Sequence, residues 1–253
     1  MKFNKMRMMF ALAAIVSLCA FSTLAQAGTT LDKVKESGVL TVGNSPDYPP
    51  FESIGDGGER VGFDVDLLNA IAAKMGVKVK WVTMDFAAIV TATQSGQVDM
   101  GMSGFSISPE RAEQVSFSAP YIASGQVIVV RNDSDIKSAA ELKGRKIAVQ
   151  LGTTGEQEAD KIEGAEVVKP ESYNIAFMML NNKVADAVIA DISVADEFVK
   201  QGKFKRAGKP LSFEEFAMIT RKGNDDLLQA LNKGLAAVKA DGTYAAIVKK
   251  WNL

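Results

Sequence analysis

A two-lobed α/β fold, each lobe built on a mainly parallel sheet flanked by helices, is the architecture this sequence predicts. Three observations carry that expectation. Short apolar runs alternate with helical patterns through most of the chain, and strands separated by helices tend to pair in parallel. Residues 28–253, which follow an N-terminal leader, exceed what one small core needs and suffice for two compact lobes. No long Gly/Ser-rich or Pro-rich linker divides them, so the lobes are not beads on a string, and no internal repeat or low-complexity segment breaks the alternation. In chain order, the apolar run 39–43 is a strand, the pattern 64–75 behind the turn glycine Gly62 is a helix, 77–84 is a strand, 86–95 a helix, 98–103 a strand and 108–115 a helix. There follow the strand 126–131, a short helix 139–142, the strand 146–151, a helix 155–161, the strand 166–168, a helix 172–181, the strand 185–190, a helix 192–201, the strand 216–220 and two closing helices, 225–240 and 242–249. Met84, Met100, Met102, Met178 and Met179 fall at apolar positions of these elements, where thioether packing in the core is expected.

The leader carries Lys2, Lys5 and Arg7, an apolar stretch from about Met8 to Phe21, and Ala25-Gln26-Ala27 before Gly28. This is a secretory signal peptide, residues 1–27, with an A-x-A cleavage site. Its apolar run falls short of the ~20 residues that span a bilayer. Cys19 follows Leu18 rather than a small residue, which argues against lipid modification. It is the only cysteine and would leave with the leader, so no disulfide framework is available. The formal net charge is −1 and becomes −4 without the three leader cations. That balance argues against nucleic acid, which wants a basic stripe. Histidine is absent. Mechanisms that need an imidazole base are therefore excluded, and the commonest transition-metal ligand is missing. The polar run 132–135 lacks EF-hand spacing, so no metal is expected.

The densest chemistry lies in residues 102–121, MSGFSISPERAEQVSFSAPY. Ser103 and Ser106 offer hydroxyls, Gly104 lets a ligand approach the backbone, and Arg111 carries a planar fork of donors that can grip a carboxylate with two parallel bonds. The grouping suits a small zwitterion, although serines and an arginine in a loop also occur on surfaces that bind nothing.

A second segment, residues 62–76 (GFDVDLLNAIAAKMG), runs from a turn glycine through alternating apolar and acidic residues into an apolar helix. Further matches are residues 45–53 (SPDYPPFES), 152–154 (GTT, after KIAVQL), 186–191 (DAVIAD) and 241–251 (DGTYAAIVKKW). Together these segments resemble the family 3 solute-binding proteins, the periplasmic amino-acid receptors of ABC importers, in the expected order and over essentially all of residues 28–253. The resemblance implies the type II periplasmic binding protein fold, in which the chain crosses between lobes twice, near 118–126 and 211–217. Lobe 1 then comprises 28–121 and 217–253, lobe 2 comprises 122–216, and the two crossovers form a hinge. It also implies a periplasmic, monomeric, non-enzymatic receptor without a cofactor, which captures an L-amino acid and delivers it to an inner-membrane ABC permease complex.

Site roles follow from the same resemblance. Arg111 takes the ligand carboxylate, joined by the N–H groups of Gly104 and Thr154 from opposite lobes. Thr153 and Thr154 lie where a helix N-terminus favours an anion, although an ordinary turn and N-cap would use the same residues. Asp191, Ser106 Oγ and the carbonyl of Ser103 receive the α-ammonium, while a strand-terminal acid can also be merely solvated. Tyr48 and Phe86 match the aromatic walls around the ligand side chain, or else belong to the core. Specificity falls to Ser45, Gln150 and Tyr173. Ser45 stands where many relatives that bind basic or amide side chains carry an aspartate, a departure that weighs against lysine and histidine. Gln150 offers a donor and an acceptor, which suits a polar side chain of the arginine or glutamine type. The alternative is an enzyme on the same scaffold, resembling the cyclohexadienyl dehydratases, which eliminate water and carbon dioxide from prephenate or arogenate. Their cleft glutamate and asparagine are replaced here by Asp191 and the Gly-Thr-Thr turn, and no acid has an obvious catalytic partner.

Overall fold

A computed structural model describes residues 29–253; the leader, with Cys19 and the expected cleavage site, lies outside the described residues. The chain opens with α1 (Thr30–Ser37), β1 (Val39–Asn44), a small hairpin sheet of β2 (Asp47–Tyr48), β3 (Glu52–Ile54) and β4 (Arg60–Val61), and then α2 (Phe63–Met75). It continues through β5 (Lys78–Thr83), α3 (Phe86–Ser95), β6 (Met100–Gly101), α4 (Pro109–Ala112), β7 (Val115–Phe117), β8 (Ile122–Ser124) and β9 (Gln126–Arg131). Next come β10 (Lys146–Ala148), α5 (Thr154–Asp160), β11 (Glu166–Val168), α6 (Tyr173–Asn181), β12 (Ala187–Asp191), α7 (Ile192–Val199) and β13 (Phe204–Ala207). The last elements are β14 (Glu214–Phe216), β15 (Ile219–Arg221), α8 (Asp225–Ala240) and α9 (Thr243–Trp251).

Two five-stranded sheets organise the two lobes, one ordered β5-β1-β6-β15-β7 and the other β11-β10-β12-β9-β13. In each, four strands run one way and one is reversed: β15 is antiparallel to both of its neighbours in the first sheet, and β9 to both of its neighbours in the second. The sheets are therefore mixed, and the reversed strands have a common origin. Each arrives from a hinge strand with no helix in between, whereas a parallel pairing needs a crossover of a dozen or more residues. The hinge strands β8 and β14 pair with each other, with Glu214 opposite Ser124 and Phe216 opposite Ile122.

Both faces of each sheet are covered. β12 and all but the last residue of β9 are buried throughout, the continuous apolar run of strands sandwiched between helices. The first sheet carries Leu40, Val42 and Met100 against Leu67, Leu68, Leu231 and Leu235 of α2 and α8 on one side, and Ile219 against Phe86 and Ile89 of α3 on the other. Met100 and Met102 are fully buried as expected, but Met178 on α6 is 55% exposed and does not belong to the core.

Several elements depart from the sequence reading for local reasons. The strand expected over 216–220 is split into β14 and β15, because the chain changes sheets there. The helix expected over 108–115 is a single turn, α4, with Pro109 at its start. Residues 139–142 form a 3₁₀ turn. α1 gives little apolar signal because Val34 is its one buried residue, although a Thr29/Asp32 capping box marks its start. Among the described residues, no helix is long and apolar enough to cross a membrane.

Candidate ligand-binding site

Nine of the residues singled out from the sequence line one cavity between the two sheets: Tyr48, Phe86, Gly104, Ser106, Arg111, Gln150, Thr153, Thr154 and Asp191. Its cavity volume is about 10 Å³, room for little more than a water, so the lobes are drawn closely together around it. A larger open groove of about 540 Å³, between α7 and the end of α9, contains none of them. The lobes meet directly around the smaller cavity. Arg111 of the first lobe donates through Nη2 to the carbonyl of Gly152 at 2.9 Å, and Gln150 Nε2 of the second donates to Asp47 Oδ2 at 3.3 Å.

Arg111 is 7% exposed, with its guanidinium carbon 5.4 Å from the rings of both Phe86 and Phe105. Nη1 donates to the Ser106 carbonyl at 2.9 Å, so the fork is held by two backbone oxygens while its other donors remain available. Burial works against its charge, and Asp191 and Glu214 favour it. Phe86 thus stacks on Phe105 and steadies Arg111 as well as lining the cavity. Thr154 is the first residue of α5, so its N–H has no partner within the helix. Thr153 is the N-cap: its hydroxyl accepts from the N–H of Glu156 and donates to the carbonyl of Gln150. Here the capping role applies.

Asp191 sits at the end of β12. It accepts from Gln126 Nε2 at 2.8 Å, from the Tyr173 hydroxyl at 3.2 Å and from Ser124 Oγ at 3.5 Å. Burial, with the charge of Glu214 nearby, pushes its carboxyl up to about 7, against hydrogen bonds and Arg111 that pull it down. Among the described residues, no cation forms an ion pair with it. The Tyr48 hydroxyl is buried close enough to Asp191 to help hold that carboxyl down, yet among the described residues it has no hydrogen-bond partner.

Three of the expected residues are engaged within the protein itself. The Gly104 N–H is not free for a ligand: it donates to Asp64 Oδ2 at 3.0 Å. Ser103 does not line the cavity; its hydroxyl donates to Glu52 and accepts from the N–H of Ser45. Ser45 is also displaced from the cavity, and its hydroxyl donates to Asp47 Oδ1 at 2.8 Å. All three are engaged by acids that the sequence reading passed over. Glu52 and Asp64 are fully buried together beneath the Ser103-Gly104 loop. Burial and the charge of Asp64 drive Glu52 well above the carboxylate range, and burial raises Asp64 to about 7 despite donors from Gly104 and Tyr121. Both carboxyls are thereby biased toward their protonated forms. Gly104 itself is required: it has φ +58°, and a Cβ there would meet Tyr48 Cε1 at 2.4 Å.

Other unexpected residues join the lobes or brace the second one from within. Asp47 accepts from Gln150 and from the N–H of Tyr173 across the cleft. Gln126 Nε2 donates to both Thr154 Oγ1 and Asp191. Glu214 accepts from Ser106 of one lobe and Thr154 of the other. An acid inside SPDY and a pair of acids before an apolar strand were visible signals, but nothing local said what they would face.

Residues 40–253 match the model of the bacterial extracellular solute-binding proteins, family 3. The chain belongs to that family. This solute-binding protein is 35% identical over 219 residues to ABC transporter arginine-binding protein 1 of Escherichia coli, covering 84% of this chain and 90% of that one. It is 33% identical over 236 residues to a probable histidine-binding protein of Campylobacter jejuni, covering 90% of this chain and 88% of that one. An ancestral arginine-binding protein solved with arginine superposes with a TM-score of 0.82 at 44% identity, covering 85% of this chain and 98% of that one; an ancestral arginine-binding protein solved with glutamine superposes with the same TM-score and identity, covering 85% of this chain and 97% of that one. The solute-binding protein is thus a two-domain extracytoplasmic receptor, and the relatives named above are binding proteins.

Proposed function

We propose that this solute-binding protein captures an L-amino acid with a polar side chain, of the arginine or glutamine type, and delivers it to an ABC permease in the inner membrane. On this reading residues 1–27 are removed on export to the periplasm, residues 28–121 and 217–253 form one lobe, 122–216 form the other, and hinge closure brings the lobes onto the ligand. The charge layout of the cavity carries the proposal. Arg111 and the Thr154 N–H offer donors for an α-carboxylate, and Asp191 is a buried acid with no ion pair among the described residues, suited to an α-ammonium. Beyond them, the amide nitrogen of Gln150 is held by Asp47 and the Glu171 carbonyl, leaving Oε1 as the polar atom it can offer. An acceptor backed by an acid suits a side chain that donates, as guanidinium and amide groups do. The arginine-binding relative and the ancestral arginine-binding proteins solved with arginine and with glutamine support the same class.

The test is a thermal melt of residues 28–253, unfolded and refolded to strip carried-over ligand, against each common L-amino acid. A ligand at 100 times its Kd adds roughly 2.7 kcal/mol, which is a shift of about 5–10 °C for a chain of this size. A shift with arginine or glutamine is expected. No shift with any amino acid would sink the proposal.

A further inference from the structure

The hinge strand β14 places a carboxylate at the point where the two lobes bring their hydroxyls together. Glu214 Oε2 accepts from Ser106 Oγ of the first lobe and from Thr154 Oγ1 of the second, at 2.7 Å for the latter, and Oε1 accepts from Ser212 Oγ. The Ser106 and Thr154 hydroxyls themselves approach to 3.5 Å, and both line the cavity beside Asp191. Each hydroxyl has a single hydrogen and two lone pairs, and a carboxylate can only accept. Once that hydrogen points to Glu214, the oxygen can serve the cavity only as an acceptor. Thr154 Oγ1 already accepts from Gln126 Nε2 at 3.0 Å, which is consistent with the same orientation. Two hydroxyls that could have faced either end of a zwitterion are thereby fixed in the sense that suits its cation and opposes its anion.

We propose that Glu214 is a positioning residue for the ammonium end of the ligand: it takes the hydrogens of Ser106 and Thr154 and turns both oxygens, with Asp191, into one acceptor cage built from both lobes and anchored at the hinge. This rests on the amino-acid reading of the cavity and assigns its polarity to a residue that does not line it. The cage is complete only when the lobes are closed, because Ser106 and Thr154 come from opposite sides and Glu214 joins them.

The test compares each amino acid with its counterpart lacking the α-amino group: L-arginine with 5-guanidinopentanoate, and L-glutamine with 4-carbamoylbutanoate. Calorimetry is run on refolded residues 28–253, wild type and Glu214→Gln. Glutamine fills the same space but removes the negative charge and one of the two acceptor oxygens, so Ser106, Thr154 and Ser212 can no longer all donate to it. The expected result is that Glu214→Gln loses roughly 10-fold or more in affinity for the amino acid while the des-amino analogue changes by less than about 3-fold, the size expected when a buried hydrogen-bonding arrangement is broken. An equal loss on both ligands means a merely structural role and overturns the proposal, as does unchanged selectivity. If the wild type binds neither amino acid, the reading of the cavity falls and this proposal with it; if the wild type binds and Glu214→Gln keeps its preference, only the Glu214 assignment falls. Should Glu214→Gln not fold, Glu214→Asp carries the test. It withdraws the carboxylate by one methylene and is expected to lose the same selectivity; full selectivity in Glu214→Asp overturns the proposal.

Discussion

At the scale of single residues the cavity is decided by groups whose charge is buried and only partly answered. Arg111 is gripped by two carbonyls and two aromatic rings, which fixes the plane of its guanidinium and leaves donors directed away from the protein's own acceptors. Replacing it with alanine removes the charge-assisted bonds to an α-carboxylate, and we expect Arg111→Ala to weaken amino-acid binding by about 100-fold or more, measured by calorimetry. Arg111→Lys should recover little, because a compact ammonium cannot hold two carbonyls and a carboxylate in one plane. An Arg111→Ala protein with wild-type affinity would remove the residue from the site. The placement of Arg111 and Asp191 at the cavity was legible in the sequence because the local motifs that carry them also position their side chains. Glu214, Asp47 and Gln126 were not, because the partners they meet lie far away in sequence, for Asp47 and in part for Glu214 in the other lobe, and nothing in their own neighbourhoods names those partners. The Gly104 N–H was misjudged for the same reason: the loop's shape was readable, but the buried acid beneath it was not.

At the scale of elements the hinge is the feature that orders the rest. β8 and β14 lie side by side, and the backbone closes on itself just beyond them: a Cβ on Gly125 would stand 2.2 Å from the Ser212 carbonyl oxygen. Backbone cannot give way as a flexible side chain can. Gly125→Ala should therefore force the hinge strands apart, at a cost of about 1–3 kcal/mol, and lower the melting temperature by several degrees in a scan without ligand. It should also weaken ligand binding, since Ser124 and Glu214 stand opposite each other on these strands and reach Asp191, Ser106 and Thr154. A Gly125→Ala protein with an unchanged melt would show that the strands need not approach so closely. The long helices and the buried strands β9 and β12 were readable from apolar pattern alone. The hinge strands, β2 to β4 and β13 were not: runs of two to four residues carry too little periodicity, and their pairing partners lie far away in sequence.

Over the whole molecule, the buried acids give two responses to pH that oppose each other. Asp64 and Asp191 have carboxyls raised to about 7 by burial, and Glu52 is higher still. A group whose folded pKa lies above its unfolded value stabilises fully below the unfolded value, and that stability is lost as pH rises through the folded one. Between about pH 4 and 7 the folded, ligand-free protein holds protons that the unfolded chain has released, so its stability should fall as pH rises across that window. Exposed acids act the other way: Asp133, beside Lys183, and Asp241, beside Lys74, are held below the usual range, and what they contribute is lost as pH falls below about 4. The ligand-free melting temperature should therefore rise by several degrees from pH 7.5 to about 5 before declining. Ligand binding should do the reverse. An α-ammonium calls for the ionised form of Asp191, so acidification below about 7 makes binding deprotonate it first and weakens affinity by up to about tenfold per pH unit. Melts between pH 5 and 8, with and without saturating arginine or glutamine, would thus show the bare protein gaining stability toward acid while the ligand-induced shift shrinks. Asp191→Asn should abolish the second trend and leave the first partly in place through Glu52 and Asp64. A ligand-induced shift that grows toward pH 5 would mean that Asp191 does not meet the ammonium, and would return the cation of the ligand to another part of the cleft.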